Sequence, residues 1–508
     1  LDALMMPSLL PSMPLWRHMA ILLALASAAP AAGQAPPRPA LPWRQLALTD
    51  LEQLHRSVVD LHPAMRDPAT PDFPQRVDAS YRQARVRAAA ARSYLDWRTA
   101  VQGFVLSFRD GHTIFRPAVL PARVRWPGFL LDGRAGSWVV RRPSTIRSTD
   151  SLPNESAELV ACDGIAAADL LRRRLDGVEA DWSKEPERIR QAWRLLIDYH
   201  LEGAPPMQRC TFNRGGVATV VELAWRIEAW TSLAPELNPL LRQIKRPIEV
   251  RTLPSGGRWI TLGSFGLEAQ LAALIGELTA DSLALRRAPF VVFDLRGNRG
   301  GNSTWGEQLA RVLWGDSAAS ARSAALAAQS RGYRGKWWRG SPAAQRAVRA
   351  VADEFAARGA AFADVARYWY ETADRLAHAP DGDRGLVHDP CCDPEDDGPR
   401  SAEVLPRFGG RAYVLVDAGC FSSCVIAAHR LMAQGAVAIG ETSGQNQEYG
   451  EIVTPPALPS GLASYSLPVS IIRQDPQALR VIPVERWSGA MDDDRGLEDW
   501  VAHLARER

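Results

Sequence analysis

Ser422 stands where a hydroxyl can become chemically useful. It lies in Cys420-Phe421-Ser422-Ser423-Cys424, after the apolar run Tyr413-Val414-Leu415-Val416 and the turn residues Asp417-Ala418-Gly419. The run has the length and β-branched content of a buried strand, and from Val425 onward Ile426, Ala427, Leu431 and Met432 recur at helical spacing. A strand that turns sharply into a helix sets the serine at the helix N-terminus. Unpaired backbone N–H groups and the positive end of the dipole favour a developing oxyanion there. Ser422 is therefore a candidate nucleophile. Taken alone, the stretch reads more readily as a helix capped by Ser422 or Ser423. A short strand, Ala436-Val437-Ala438-Ile439, follows and leads into a polar loop at Gly440.

A second stretch supplies what a nucleophile needs. Phe290-Val291-Val292-Phe293-Asp294 is another buried strand, and it runs into Leu295-Arg296-Gly297-Asn298-Arg299-Gly300-Gly301-Asn302, with a helix expected from Ser303. Glycines in such a bend let backbone N–H groups point at an anion. A phosphate loop is the rival, but the Lys-Ser/Thr that should follow the glycines is missing. One unit presenting a serine and one presenting N–H donors make the two halves of an acyl-transfer site.

DLRGNRGG, followed by VLVDAGCFSSC and IGETSG, resembles the C-terminal processing (tail-specific) serine peptidases and their tricorn-core relatives. The resemblance covers the chain from about Leu46 onward. It implies an α/β, crotonase-like core with a helical N-terminal cap and a degraded PDZ-like insert. It also implies Ser422 as nucleophile, with an oxyanion hole from the backbone N–H of Gly300 or Gly301 and of Ser423. Peptide or protein substrates follow from it, and no cofactor or metal.

The same comparison breaks at the base. Those enzymes use a lysine shortly after the G-E-x-T strand, where this chain reads Gly444-Gln445-Asn446-Gln447, and its last lysine is Lys336. An amide does not take a serine proton. A histidine base, or loss of activity with retention of peptide or partner binding, remains. Asp110-Gly111-His112-Thr113 is similar to the motif in which tricorn-like members carry their catalytic histidine, which makes His112 the candidate base. The resemblance also asks for a carboxylate, and Glu485 stands about where it falls, with Glu451 as rival. His429 follows Ser422 by about two helical turns, too far to serve as its base.

These residues need a frame. The 508 residues, 46% of them hydrophobic, bury a sizeable core, and a net charge of +3 argues against nucleic acid or an acidic membrane as partner. Residues 1–35 read as a secretory signal, with Arg17 and His18 ahead of the apolar run Met19–Leu25, and 36–45 as a Pro-rich linker. A periplasmic or secreted protein is expected, without a membrane span in the mature chain. Export permits disulfides among Cys162, Cys210, Cys391, Cys392, Cys420 and Cys424. Cys420 and Cys424 flank the serine and would brace its turn if paired with each other or with Cys391 or Cys392. Free buried thiols are as fair a reading for Cys162 and Cys210.

Residues 46–118 read as a helical cap, its first helix capped by Thr49 or Asp50 and its third beginning at Ser93. Residues 119–245 read as the small β-containing region that resembles a PDZ module, with a helix from Ala166 to Leu175 and another from Glu185 to Tyr199. The core is 246–508, with an insertion at 316–400 carrying Lys336-Trp337-Trp338-Arg339 and two helices. That insertion reads either as a lid or groove wall, or as a surface elaboration with a small core of its own. Oligomeric state is not legible.

Overall fold

Strands buried on both faces need continuous apolar runs, and FVVF and YVLV occupy the middle of such a sheet. Its order is Ile248–Thr252, Arg258–Leu262, Phe290–Asp294, Arg411–Val416, Val437–Gly440 and Glu485–Arg486. The first pair is antiparallel and every later pair parallel. On one face Val291, Phe293, Val414 and Val416 pack against Leu271, Leu309 and Leu431 of the helices Glu268–Ala280, Thr304–Trp314 and Ser423–Ala433. On the other, Val292, Tyr413 and Leu415 meet Leu497 and Val501 of the helix Asp494–Glu507. The protein is thus mixed α/β. The glycine bend and the serine turn leave the carboxyl ends of two adjacent parallel strands, in register from Phe290↔Arg411 to Asp294↔Leu415. That edge is where open α/β sheets place their ligand crevices.

This computed structural model describes residues 42–507 except 135, 145–151, 202–203, 330–334, 380–384, 391–407, 445–447 and 474–478. The signal segment, Cys391, Cys392 and the Gln445-Asn446-Gln447 loop lie outside the described residues. Among those described, no helix is long and apolar enough to cross a membrane.

A second, antiparallel sheet brings distant parts of the chain together. Its long strand, Ala463–Ile472, pairs with Ile114–Pro117, with Lys336–Arg339 and with Tyr449–Val453. The cap helices Trp43–Leu61, Phe73–Ala89 and Tyr94–Leu106 share one core with this sheet and with the insertion helices Pro342–Ala357 and Ala363–Ala377. Trp338, Val348 and Trp369 lie in the same cluster as Leu51, Trp97 and Tyr465. Among the described residues these two insertion helices form no core of their own: their apolar faces complete that of the cap, while Ala319 at the start of the insertion joins the core of the central sheet.

Two local expectations need correction. The first helix starts at Trp43, inside the expected linker, and neither Thr49 nor Asp50 caps it. Asp50 is buried and accepts hydrogen bonds from Trp97 Nε1 (2.8 Å) and from the Ser460 N–H (2.9 Å). The helix Glu185–Gln191 passes into a 3₁₀ turn at Ala192–Leu196 and stops short of Tyr199. Ser93 does cap its helix, accepting from the Asp96 N–H at 3.1 Å. In the third sheet, Leu130–Arg134, Ser137–Arg141, Glu158–Cys162, Arg209–Arg214 and Val217–Glu222 run antiparallel, with the helix Ala167–Leu175 against them. A Cys162–Cys210 disulfide joins register partners there, so these two are not free thiols.

Candidate active site

Ser422 does not cap its helix by side chain; it occupies a strained turn. Its backbone has φ 58° and ψ −127°, a left-handed conformation that L-residues other than glycine avoid, and its side chain makes no capping bond. Ser423 opens the helix behind it. The turn is fixed from several sides. The Asp417 carboxylate accepts the N–H groups of Gly419 (2.9 Å), Cys420 (3.1 Å) and, across from the neighbouring strand, Gly297 (3.0 and 2.9 Å). Burial and the charge of Glu441 push the Asp417 carboxyl up to about 6, against the pull of the Gly297 N–H. Glu441 is itself clamped by Arg242, which donates from Nε at 2.9 Å and Nη2 at 2.7 Å. A Cys420–Cys424 disulfide closes the turn around the serine.

The glycine bend is seated by Asn298. Its side-chain N–H₂ donates to the Leu262 carbonyl (2.7 Å), its own carbonyl accepts the Phe421 N–H (3.1 Å), and its Oδ1 accepts the Gly300 N–H (2.8 Å). That last bond revises the oxyanion assignment: Gly300 N–H is committed to Asn298. Gly300 acts through its missing side chain, since a Cβ there would sit 3.0 Å from Ser423 N and 3.1 Å from Ser422 Cβ. Of the three candidate oxyanion donors, the N–H groups of Gly301 and Ser423 make no hydrogen bond to another described residue. Gly301 has φ 132°, and a Cβ on it would fall 2.3 Å from the Phe265 carbonyl carbon. Ser423 Oγ donates to the Gly301 carbonyl at 2.6 Å and ties the two halves together.

His112 reaches this point although 310 residues separate it from Ser422, and its Nε2 lies 3.3 Å from Ser422 Oγ. The route is the strand Ile114–Pro117, paired with Ala463–Ile472 and preceded by a tight turn. Asp110 makes that turn: Oδ1 accepts the His112 N–H (3.0 Å), Oδ2 accepts Thr113 Oγ1–H (2.7 Å), and His62 Nε2 lies 3.4 Å from Oδ2. His62 Nδ1 accepts the Ala64 N–H, so in the neutral ring the proton is on Nε2, facing Asp110. Although burial would raise the Asp110 carboxyl, its bond to His62 and the charges of His62 and His112 hold it down to about 2.

A stability dependence follows from that depression. In the unfolded chain the group has the ordinary value of 3.8, so between about 2 and 3.8 the unfolded state binds more protons. Asp110 thus contributes stability fully above about pH 4, lost as the pH falls through about 2. The contribution is about 2 kcal/mol. Asp110→Asn should remove this component of the acid-unfolding slope, measured by denaturant titrations between pH 2 and 5.

Burial depresses the His112 pKa below its ordinary 6.5, opposed by the charge of Asp110, the Tyr449 backbone carbonyl and the charge of Glu451. The ring is therefore neutral at neutral pH, with its basic nitrogen available. Among the described residues Nδ1 has no hydrogen bond of ordinary geometry. Glu451, the rival acid, acts on this ring through its charge, after that of Asp110. It sits on Tyr449–Val453 with φ 45° and accepts from Lys336 Nζ at 2.6 Å. Glu485 is placed elsewhere: it pairs with Ile439 at the sheet edge and lines a separate cavity with Trp314, Tyr413 and Leu504. His429, as expected, is not at the site; its Nε2 contacts the Arg480 carbonyl at 3.1 Å.

Lys336 has no local sequence feature that points to the site. It is buried, with Nζ donating to Tyr368 OH (2.9 Å) and lying 4.6 Å over the Trp338 ring. Tyr368 OH and Trp338 Nε1 both donate to Asp389 Oδ2, at 2.8 and 2.7 Å. Lysine is rarely enclosed without a partner, but the burial that marks Lys336 out is not carried by the residues around it in the sequence. Asn298, Asp417 and Arg242 were likewise missed as positioning residues.

No group of histidine, cysteine and acidic residues among those described could hold a metal ion. A cavity of about 450 Å³ opens beside the serine, bordered by Gly111, Thr113, Phe421 and Arg299. No family model and no curated protein matches the chain. Solved structures do. A point mutant of CPAF superimposes with a TM-score of 0.56 at 12% identity, over 91% of this chain and 96% of that one. Mature CPAF gives 0.54 with the same identity and coverages, and mature CPAF complexed with lactacystin gives 0.53 at 12% identity, over 91% and 98%. At such identity the likeness is one of fold, and it extends over nearly the whole length of both chains.

Proposed function

We propose that this chain is a serine-type peptidase in which His112, in place of a lysine, activates Ser422. The observation that carries the reading is the 3.3 Å approach of His112 Nε2 to Ser422 Oγ on a strained turn. Ser422 Oγ attacks the scissile carbonyl while its proton passes to His112 Nε2. The oxyanion forms opposite the Gly301 and Ser423 N–H groups. As the C–N bond breaks, His112 returns the proton to the leaving amine; water, activated by the same nitrogen, then hydrolyses the acyl-enzyme. Glu451 favours the transient imidazolium, and Lys336 holds that carboxylate in place. This assigns the acid's role to Glu451 rather than Glu485.

The finer architecture belongs to the same reading. The succession of parallel strands with helices on both faces supports a crotonase-like core at 246–508. The antiparallel sheet with its helix Ala167–Leu175 supports a PDZ-like insert within 119–245. Two disulfides, together with the apolar segment Met19–Leu25, support an exported protein, periplasmic or secreted.

Fluorophosphonate labelling tests the reading. Wild-type protein should be labelled on one serine, with labelling lost in Ser422→Ala. Folded protein that resists the probe would favour a non-catalytic peptide- or partner-binding protein on this scaffold.

A further inference from the structure

We propose that Arg299 forms a carboxylate-binding subsite beside the scissile bond, so that the peptides cleaved carry an acidic group next to the cut; the proposal rests on the peptidase reading. Arg299 stands between Asn298, which seats the glycine bend, and Gly300, which lies against the Ser422–Ser423 backbone. Its position relative to the nucleophile is thus set by the same loop that carries the oxyanion donor. The side chain lines the cavity that Phe421 and Gly111 border, exposed to solvent through it. No hydrogen bond or ion pair joins its guanidinium to another described residue.

The acids around that cavity are already engaged. Glu187 pairs with Arg190, and Glu179 with Arg98 (2.6 Å) and Arg194 (3.0 Å). Asp181 faces Lys184 at 3.4 Å, Glu185 binds Arg486 at 2.8 Å, and Asp110 is held by His62. Among the described residues, the charges acting on Arg299 are those of Arg190 and Arg116, which repel it, and of Glu187, which attracts it. Although the side chain opens to the cavity, the surrounding protein displaces part of its water and lowers its pKa, and the charge of Arg190 adds to this. A guanidinium crowded by like charges is stabilised by an incoming carboxylate, which its planar fork binds in two-point fashion. An acidic side chain and the free carboxyl end of a short peptide both carry that group.

The test uses three peptide series on wild-type and Arg299→Gln protein: glutamate at each position flanking the cut with an amidated end, glutamine in its place with an amidated end, and glutamine with a free carboxyl end. In the wild type, kcat/KM for one carboxylate series should exceed that of the neutral series by about 10-fold or more, and which series gains identifies the source. The ratio should fall to about 1 in Arg299→Gln, and Arg299→Glu should shift preference towards lysine. No carboxylate preference in the wild type, or one unchanged by Arg299→Gln, overturns the subsite while leaving the peptidase standing. If no peptide is cleaved and Ser422 takes no fluorophosphonate, the peptidase reading fails. Binding of the same peptides, fluorescently tagged, to Ser422→Ala then decides the subsite. Tighter binding of carboxylate peptides that is lost on adding Arg299→Gln upholds it, and equal affinities overturn it.

Discussion

Replacing His112 by alanine is expected to lower peptide turnover by on the order of 10⁴–10⁶-fold, nearly as much as Ser422→Ala, with the double variant little worse than either. Nucleophile and base act as one unit, so removing one leaves nothing for the other to do. The reason lies in the local chemistry: a serine hydroxyl is a poor nucleophile at neutral pH unless a base takes its proton. Among the described residues, the imidazole 3.3 Å from Ser422 Oγ is the basic group placed to do so. Steady-state kinetics on the three variants check this. Losses that multiply, instead of saturating, would show that His112 and Ser422 act independently.

A β-branched residue at Gly301 should also abolish turnover, by about 10²–10³-fold through the lost donor alone. The structure adds a second cost. A Cβ there would meet the Phe265 carbonyl carbon at 2.3 Å, and φ 132° is strained for any L-residue with a side chain. Gly301→Val should therefore push the bend off Phe265 and carry the N–H away from Ser422. The displacement stays local, because the strands Phe290–Asp294 and Arg411–Val416 are held by their own register. Near-wild-type circular dichroism with activity lost is the expected result; retained turnover would remove Gly301 from the oxyanion hole.

The parts of this site that were legible in the sequence are those made by short segments. Ser422 and the glycine bend are each announced by an apolar run followed by turn residues, and their adjacency follows from two parallel neighbours in one sheet. His112 is different. DGHT says little by itself, and only the family resemblance connected it to the serine; the connection runs through Ala463–Ile472, a strand whose importance no local pattern reveals. The choice of acid depends on the same kind of information. Glu485 and Glu451 differ in which sheet they join, a matter of long-range pairing, and Glu451 joins the sheet of Ile114–Pro117 because Tyr449–Val453 pairs with the same long strand. Lys336 illustrates the limit from the other side: its burial results from the insertion helices joining the cap's core, which periodicity along one segment does not disclose. The commitment of Gly300 N–H to Asn298 Oδ1 is a matter of side-chain rotamer and bend geometry. The motif DLRGNRGG contains both residues but not their bond.

The most direct test of the His112 assignment is the pH dependence of fluorophosphonate inactivation, followed at Ser422 in wild-type and His112→Ala protein. Burial lowers the His112 pKa below its usual 6.5, so the neutral, proton-accepting ring persists to more acidic pH than a free imidazole's would. The expected result is a rate that rises with pH through a single limb below 6.5, reaches a plateau by neutrality, and loses both limb and plateau in His112→Ala. A limb appearing only above about pH 8, as an amine base would give, or one unchanged by His112→Ala, would contradict the assignment.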